Sequence, residues 1–344
     1  MIENITVDIT RPDSNAMKNA RRLQENLIKP IGSLGALEEI AIKFAGITGK
    51  VHNKANKKVI FLFGSDHGIY EEGVCSSPQN LTAKLMNAYV EKQNAGINVL
   101  AGQVGAELRL YDLGVKELEH HENIISKKFL YEGTANFLHG RAMSYDLAEE
   151  VIMFGVSIAR EARYSGYDVI GTGEVGMANT TPACACIMAA LRTRNENLVG
   201  RGAGLTDSAF NKKKRVILEA LKFHEASLTD PINILSCVGG LDIAAMTGVF
   251  IGGAAYKIPV IIDGVVSIAA ALLAYQLNPL TREYMFASHE SAEPAYKYAA
   301  DVMNLSPALK LSMRLGEGTG CAIFMQIIDD ALAIINNMGT FKEL

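Results

Sequence analysis

A chain of 344 residues is too long for one small core, and a large domain with a smaller one beside it fits that length. Hydrophobic residues make up 49% and charged residues 20%, a globular balance that excludes a disordered chain. A net charge of −4 and a pI of about 6.0 give no support to nucleic-acid binding, so any phosphate has to be held by local backbone amides and a few cations.

The N-terminal stretch 1–14 carries acids and no apolar run, so no signal peptide is expected there. Met17 to Leu27 and the segment from Leu37 toward Gly49 read as helices joined by the turn-rich 27–35. No strand is expected before residue 55. Residues 58–63 form a continuous apolar run of strand length, followed by Gly64-Ser-Asp-His-Gly68. Parallel sheets place ligand-binding residues at such ends, which makes Asp66 and His67 candidates, with an ordinary turn as the alternative. Residues 81–101 read as one helix, 108–110 as a short strand and 142–165 as a helix. His120 and His121 lie in a charged run that reads as surface.

Tyr167 to Ile170 reads as a strand, and Gly171-Thr-Gly-Glu-Val-Gly176 as the glycine-rich turn after it. That spacing matches the dinucleotide fingerprint, but the ribose-binding acid about twenty residues on is missing: 191–196 is polar and ends no strand. Thr181 suits an N-cap and Pro182 a first helical position, where free amides favour a single phosphate. Gly200 to Gly204 is a second glycine-rich loop, and the cluster Lys212 to Arg215 lies on a helix running to about 223. Such clusters are solvated faces unless one lysine turns back to a phosphate. Ile258 to Ile262 and Tyr284 to Ala287 are further strands. The low-charge region 258–280 reads as a strand, a turn and a buried helix, not a membrane span. Strands that repeatedly end in Gly, Asp or His and pass into helices predict a doubly wound α/β sheet with a site along one edge.

Five scattered cysteines lack metal or redox spacing and read as reduced thiols of a cytoplasmic protein; no metal site is expected. In Arg314 to Gly320, three glycines alternate with Glu317 and Thr319 ahead of an apolar-periodic segment. Thr319 is the expected N-cap and Gly339 the expected stop. Glu317 then sits at the positive end of a helix, which favours its ionised form. It is either a general base or a residue that complements the dipole.

Ten stretches together resemble the nicotinate-nucleotide:dimethylbenzimidazole phosphoribosyltransferases of cobamide lower-ligand activation. They are K-P-x-G-S-L-G at 29–35, G-x-D-H-G at 64–68, P-Q at 78–79, 95–101 and G-E-x-G-x-x-N-T-T at 173–181. The others are G-R-G-x-G at 200–204, V-G-G-x-x-I-A-A-M at 238–246, D-G at 263–264, S-H-x-S-A-E-P at 288–294 and R-L-G-E-G-T-G at 314–320. The resemblance implies a mainly parallel Rossmann-like sheet in a large domain, 56–305, and a small helical domain built from both chain ends, 1–55 and 306–344. It implies transfer of ribose phosphate from nicotinate mononucleotide to an aromatic base, with no cofactor, no nucleic-acid or membrane partner, and a homodimer.

By the same resemblance Glu317 is the base and Glu174 the second acid. Phosphate and ribose fall to Gly176, Asn179, Thr180, Gly202, Ala203, Gly204, Lys213, Gly264 and Ser291. The acceptor falls to Cys75, Ser76, Lys84, Leu85 and Val175. The chain departs from the family at 81–85, where Leu-Thr-Ala-Lys-Leu replaces V-T-x-Q-M, and at Cys75, which replaces a serine. It departs also at 93–96, at Ala203 and at 140–143. Lys84 puts an ammonium where the family has an amide, which leaves the acceptor open between dimethylbenzimidazole and a phenolic base. The other readings are an NAD-dependent oxidoreductase and a supporting subunit in a heterodimer with a paralogous chain.

Overall fold

The structure is a computed structural model that describes residues 2, 6 and 8–344. The signal-peptide reading of 1–14 therefore falls partly outside the described residues. Helix α1 (Ser14–Asn26) is capped by Asp13, whose carboxylate accepts the amides of Asn15 and Ala16 at 2.8 and 3.0 Å. Helix α2 (Ala36–Thr48) ends at Gly49, a left-handed residue whose amide closes on the Ala45 carbonyl. The remaining order is β1 (Lys58–Ser65), α3 (Leu81–Glu91), α4 (Gly96–Gln103), β2 (Ala106–Gly114), β3 (Ile124–Ser126), α5 (Tyr145–Tyr164) and β4 (Val169–Val175). Then come α6 (Thr180–Ala190), α7 (Asp207–Phe223), α8 (Pro231–Val238), α9 (Leu241–Ala255), β5 (Val260–Ile262), α10 (Val265–Leu277), β6 (Met285–Ala287), α11 (Ala295–Val302) and α12 (Thr319–Asn337).

The six strands form one sheet in the order β3-β2-β1-β4-β5-β6, and each neighbouring pair is parallel. Strand β1 is buried along its whole length, which is why its sequence is a continuous apolar run rather than an alternating one. Chain order reverses between β1 and β4, and in such sheets ligands bind outside the carboxyl ends of the strands at that point. Helices cover both faces: α9 packs on α5 and α10 and with α10 on one side of the sheet, α4 and α12 on the other. Strand β4 shows the division, because Thr172 Oγ1 meets Ser267 Oγ of α10 at 2.7 Å while Gly171 faces α12.

Helix α12 also packs on α2 and α1, so the chain ends meet each other and share one continuous apolar core with the sheet. It is long and apolar enough to span a bilayer, but ten of its residues are buried in the protein. The low-charge region 258–280 divides as expected into β5, a turn and the buried α10.

Four local expectations are corrected. The single helix over 81–101 is two, because Gln93 turns left-handed at φ +50° and the Asn98 side chain satisfies the Tyr89 carbonyl at the end of α3. The glycine-rich segment 171–176 is strand through Val175, not a turn, so the dinucleotide fingerprint has no loop to form. Asn179, not Thr181, precedes α6, and Pro182 is its third residue. Gly318, left-handed at φ +84°, caps α12 in place of Thr319, and Met338 ends it one residue before Gly339.

Candidate active site

A cleft of about 270 Å³ lies at the carboxyl end of the sheet. Its walls come from Val74 to Ser77, Leu81 and Leu85 of α3, the turn from Glu174 to Thr180, Arg201 to Ala203, Leu205, Gly264 to Val266, His289, Ser291, Glu293, and Arg314 to Glu317. Most of the residues expected from sequence come together there, from seven separate stretches.

The loop carrying Glu317 is held by two devices. Asp263, at the end of β5, accepts the amides of Gly320 and Gly318 at 2.7 and 3.1 Å. Burial pushes its carboxyl up to about 7, and those amides pull it back toward the ordinary range. Beneath the loop runs β4, where a side chain on Gly173 would place its Cβ 2.7 Å from the Glu317 carbonyl oxygen. One on Gly171 would meet Cys321 at 2.8 Å. The glycines of the apparent fingerprint thus serve close approach between the strand and the start of α12, not a pyrophosphate.

Glu317 is 8% exposed and itself left-handed, at φ +63°. Burial raises its carboxyl, while the Tyr89 hydroxyl and the Ile97 amide at the start of α4 act to lower it. The expectation that the helix end favours the ion is therefore outweighed by desolvation. Glu174 lies beside the same loop, against Gly316, half-buried, and accepts a hydrogen bond from Asn179 Nδ2. Its carboxyl is driven well above the ordinary range, first by burial and then by Asp242, Asp263 and Glu317. Two carboxyls facing one cleft cannot both ionise cheaply, and such pairs divide into an acid and a base.

At the far end Lys213 is wholly buried and donates to Thr180 Oγ1 at 2.8 Å. Burial lowers its ammonium, opposed by the charge of Glu293. Its neighbours turn elsewhere: Lys212 approaches Glu72 at 4.0 Å and Lys214 lies over the Phe210 ring. Gly202 closes this corner, with its amide on Glu293 Oε1 at 2.7 Å. Thr180 and Gly202 line this corner with Lys213 buried behind them, and among the described residues no group of three potential metal ligands occurs.

Gly176, Asn179, Ala203, Gly264 and Ser291 line the cleft, as do Cys75, Ser76, Leu85 and Val175. Three expected residues are not on its wall: Gly204, Lys84, which is exposed on α3, and Lys213, which is buried behind Thr180. Sequence reasoning missed Leu81, Arg201, Val266, His289, Glu293, Arg314 and Leu315, all at the cleft, and Tyr89 behind it. Several belong to motifs already quoted, and Glu293 and Arg201 were legible as charged residues inside glycine-rich or helix-leading segments. Asp66 and His67 lie beneath the cleft. Asp66 accepts Thr82 Oγ1 and the Lys116 amide at 2.8 Å each, and His67 faces Asp242 at 3.5 Å. His120 and His121 lie outside the site.

A parallel α/β sheet that gathers two carboxyls and a buried lysine at its carboxyl edge fits a class: an enzyme that transfers a phosphorylated group. A phosphoribosyltransferase family profile matches residues 9–344, and the chain belongs to that family. It is 42% identical over 343 residues to a nicotinate-nucleotide–dimethylbenzimidazole phosphoribosyltransferase of Clostridium perfringens, covering 100% of this chain and 94% of the relative. It is 41% identical over 344 residues to the Clostridioides difficile protein of that name, covering 100% and 98%. The crystal structure of CobT from Thermus thermophilus superposes with a TM-score of 0.90 at 31% identity, covering 96% of this chain and 98% of that one.

Proposed function

We propose that this enzyme transfers the phosphoribosyl group of nicotinate mononucleotide to an aromatic lower-ligand base, yielding an α-riboside phosphate and nicotinate for cobamide assembly. The observation that carries the reading is the pairing, in one cleft, of a buried carboxyl at Glu317 with an anion corner at Thr180 and Gly202, backed by the buried Lys213 on Thr180. The phosphate sits in that corner, where burial makes the ammonium of Lys213 count most. The ribose lies between, along Gly176, Asn179, Gly264 and Ser291. The acceptor stacks against Leu81, Leu85, Val175 and Cys75.

An acceptor lone pair attacks the anomeric carbon from the face opposite nicotinate. The carbon–nitrogen bond to nicotinate breaks, and its electron pair returns to the pyridine nitrogen. The acceptor's N–H or O–H proton passes to Glu317. Glu174, kept protonated by burial, orients the acceptor at the anomeric carbon. A phenolic acceptor fits the same scheme, since Lys84 points away from the cleft and the acceptor wall is apolar. The reading includes a small unit of 1–55 and 306–344 that carries the base, a homodimer, and a cytoplasmic setting that keeps the five cysteines free.

The test is nicotinate release from nicotinate mononucleotide with dimethylbenzimidazole, phenol and p-cresol in turn, beside Glu317→Gln. Acceptor-dependent release that the substitution abolishes supports the reading. Release independent of any acceptor, or unchanged in the variant, overturns it.

A further inference from the structure

A general base has to be ionised when the acceptor arrives, yet Glu317 is nearly removed from water. Something uncharged and fixed must steady the anion. The start of α12 lies behind it, and the Ile97 amide approaches from α4. From β4 comes Glu174, which is another acid, and Asp263 of β5 is engaged by the Gly318 and Gly320 amides. Arg314, on the same loop, is exposed at the cleft mouth.

The remaining neighbour is Tyr89 of α3, which is 2% exposed. Its hydroxyl and Oε2 of Glu317 are both buried, and neither makes a hydrogen bond in this structure. They are close enough to shift each other's titration. Burial and the charges of Glu317 and Glu174 push the phenol far above its ordinary range, so it stays a proton donor. A buried hydroxyl left unpaired is costly, and the nearest remedy is the carboxylate opposite it.

We propose that Tyr89 is a positioning residue for Glu317: its hydroxyl donates to Oε2 and leaves the second oxygen turned toward the acceptor's proton. The proposal rests on the phosphoribosyl-transfer reading and adds what holds its base. It also predicts a sign. Removing a donor to the ionised form raises the carboxyl's midpoint, so the acid limb of the rate profile moves up in pH.

The experiment is Tyr89→Phe, which deletes one oxygen and keeps the ring. Expected are a kcat lower by about tenfold, a KM for nicotinate mononucleotide within about twofold, and an acid limb raised by about one pH unit. A packing role alone would change the thermal midpoint and leave that limb in place. In parallel, carboxyl carbon-13 NMR of labelled glutamate, assigned with Glu317→Gln, follows Glu317 in the resting protein. An upward move of about one pH unit in Tyr89→Phe supports the proposal, and an unmoved midpoint overturns it. A wild-type chain that releases no nicotinate overturns the transfer reading instead, and the titration still decides Tyr89.

Discussion

Replacing Gly173 by alanine tests whether β4 sets the position of the catalytic loop. The new Cβ lies 2.7 Å from the Glu317 carbonyl oxygen and 2.9 Å from the Gly318 nitrogen, so the loop must retreat by about 0.7 Å to reach ordinary contact at 3.4 Å. The strand cannot move instead, because Gly173 pairs with Leu62 in the middle of the sheet. A displacement approaching 1 Å at the reacting groups costs roughly 100-fold in rate, and overpacking costs about 1–3 kcal/mol of stability. Gly171→Ala is the matched control. It crowds Cys321 and Ile60 at 2.8 and 2.9 Å, two strand residues away from the loop. Both variants should melt earlier, measured by thermal denaturation. Only Gly173→Ala should lose most of its kcat at saturating nicotinate mononucleotide and acceptor. A Gly173→Ala enzyme with wild-type kcat, or equal losses in both variants, refutes the argument.

Lys213→Met should raise the KM for nicotinate mononucleotide by about 10–100-fold with a smaller effect on kcat, seen in initial rates, because it removes a buried charge-assisted contact. Glu174→Gln resembles the protonated form that burial favours, so its kcat should fall by no more than about tenfold. Glu317→Gln, assayed beside it, should lose about 100–10,000-fold. Asp263 has its carboxyl raised to about 7 in the folded protein, so its contribution is full below the unfolded value and is lost as pH rises through 7. The thermal midpoint of the wild type should therefore fall between pH 4 and pH 7 relative to that of Asp263→Asn, with calorimetry as the check.

The layered fold was legible because parallel strands buried on both faces leave continuous apolar runs, as at Lys58 to Ser65. Strand β3 was not, since only three residues pair there and two are exposed. The fingerprint at 171–176 misled for a physical reason. Glycine serves a tight turn and a close strand–helix approach equally well, and one-dimensional spacing does not separate them. The anion corner was half legible. A basic cluster marks a helix face, but which lysine is buried depends on α7 packing against α6. Tyr89 was invisible, because its meaning depends on a residue more than two hundred positions away that approaches only when the chain is folded.

The placement of α12 has a consequence for how the enzyme comes into being. On the ribosome the strands and the lysine corner emerge before Glu317, so on the proposed reading a partly made chain has the groups to grip a nucleotide but none to activate an acceptor. Until α12 docks, β4 also presents a bare glycine-lined surface flanked by Ile60, open to unwanted pairing with other chains. The helix that delivers the base is thus the same one that seals the sheet. Acceptor activation therefore begins only in molecules whose sheet is already sealed.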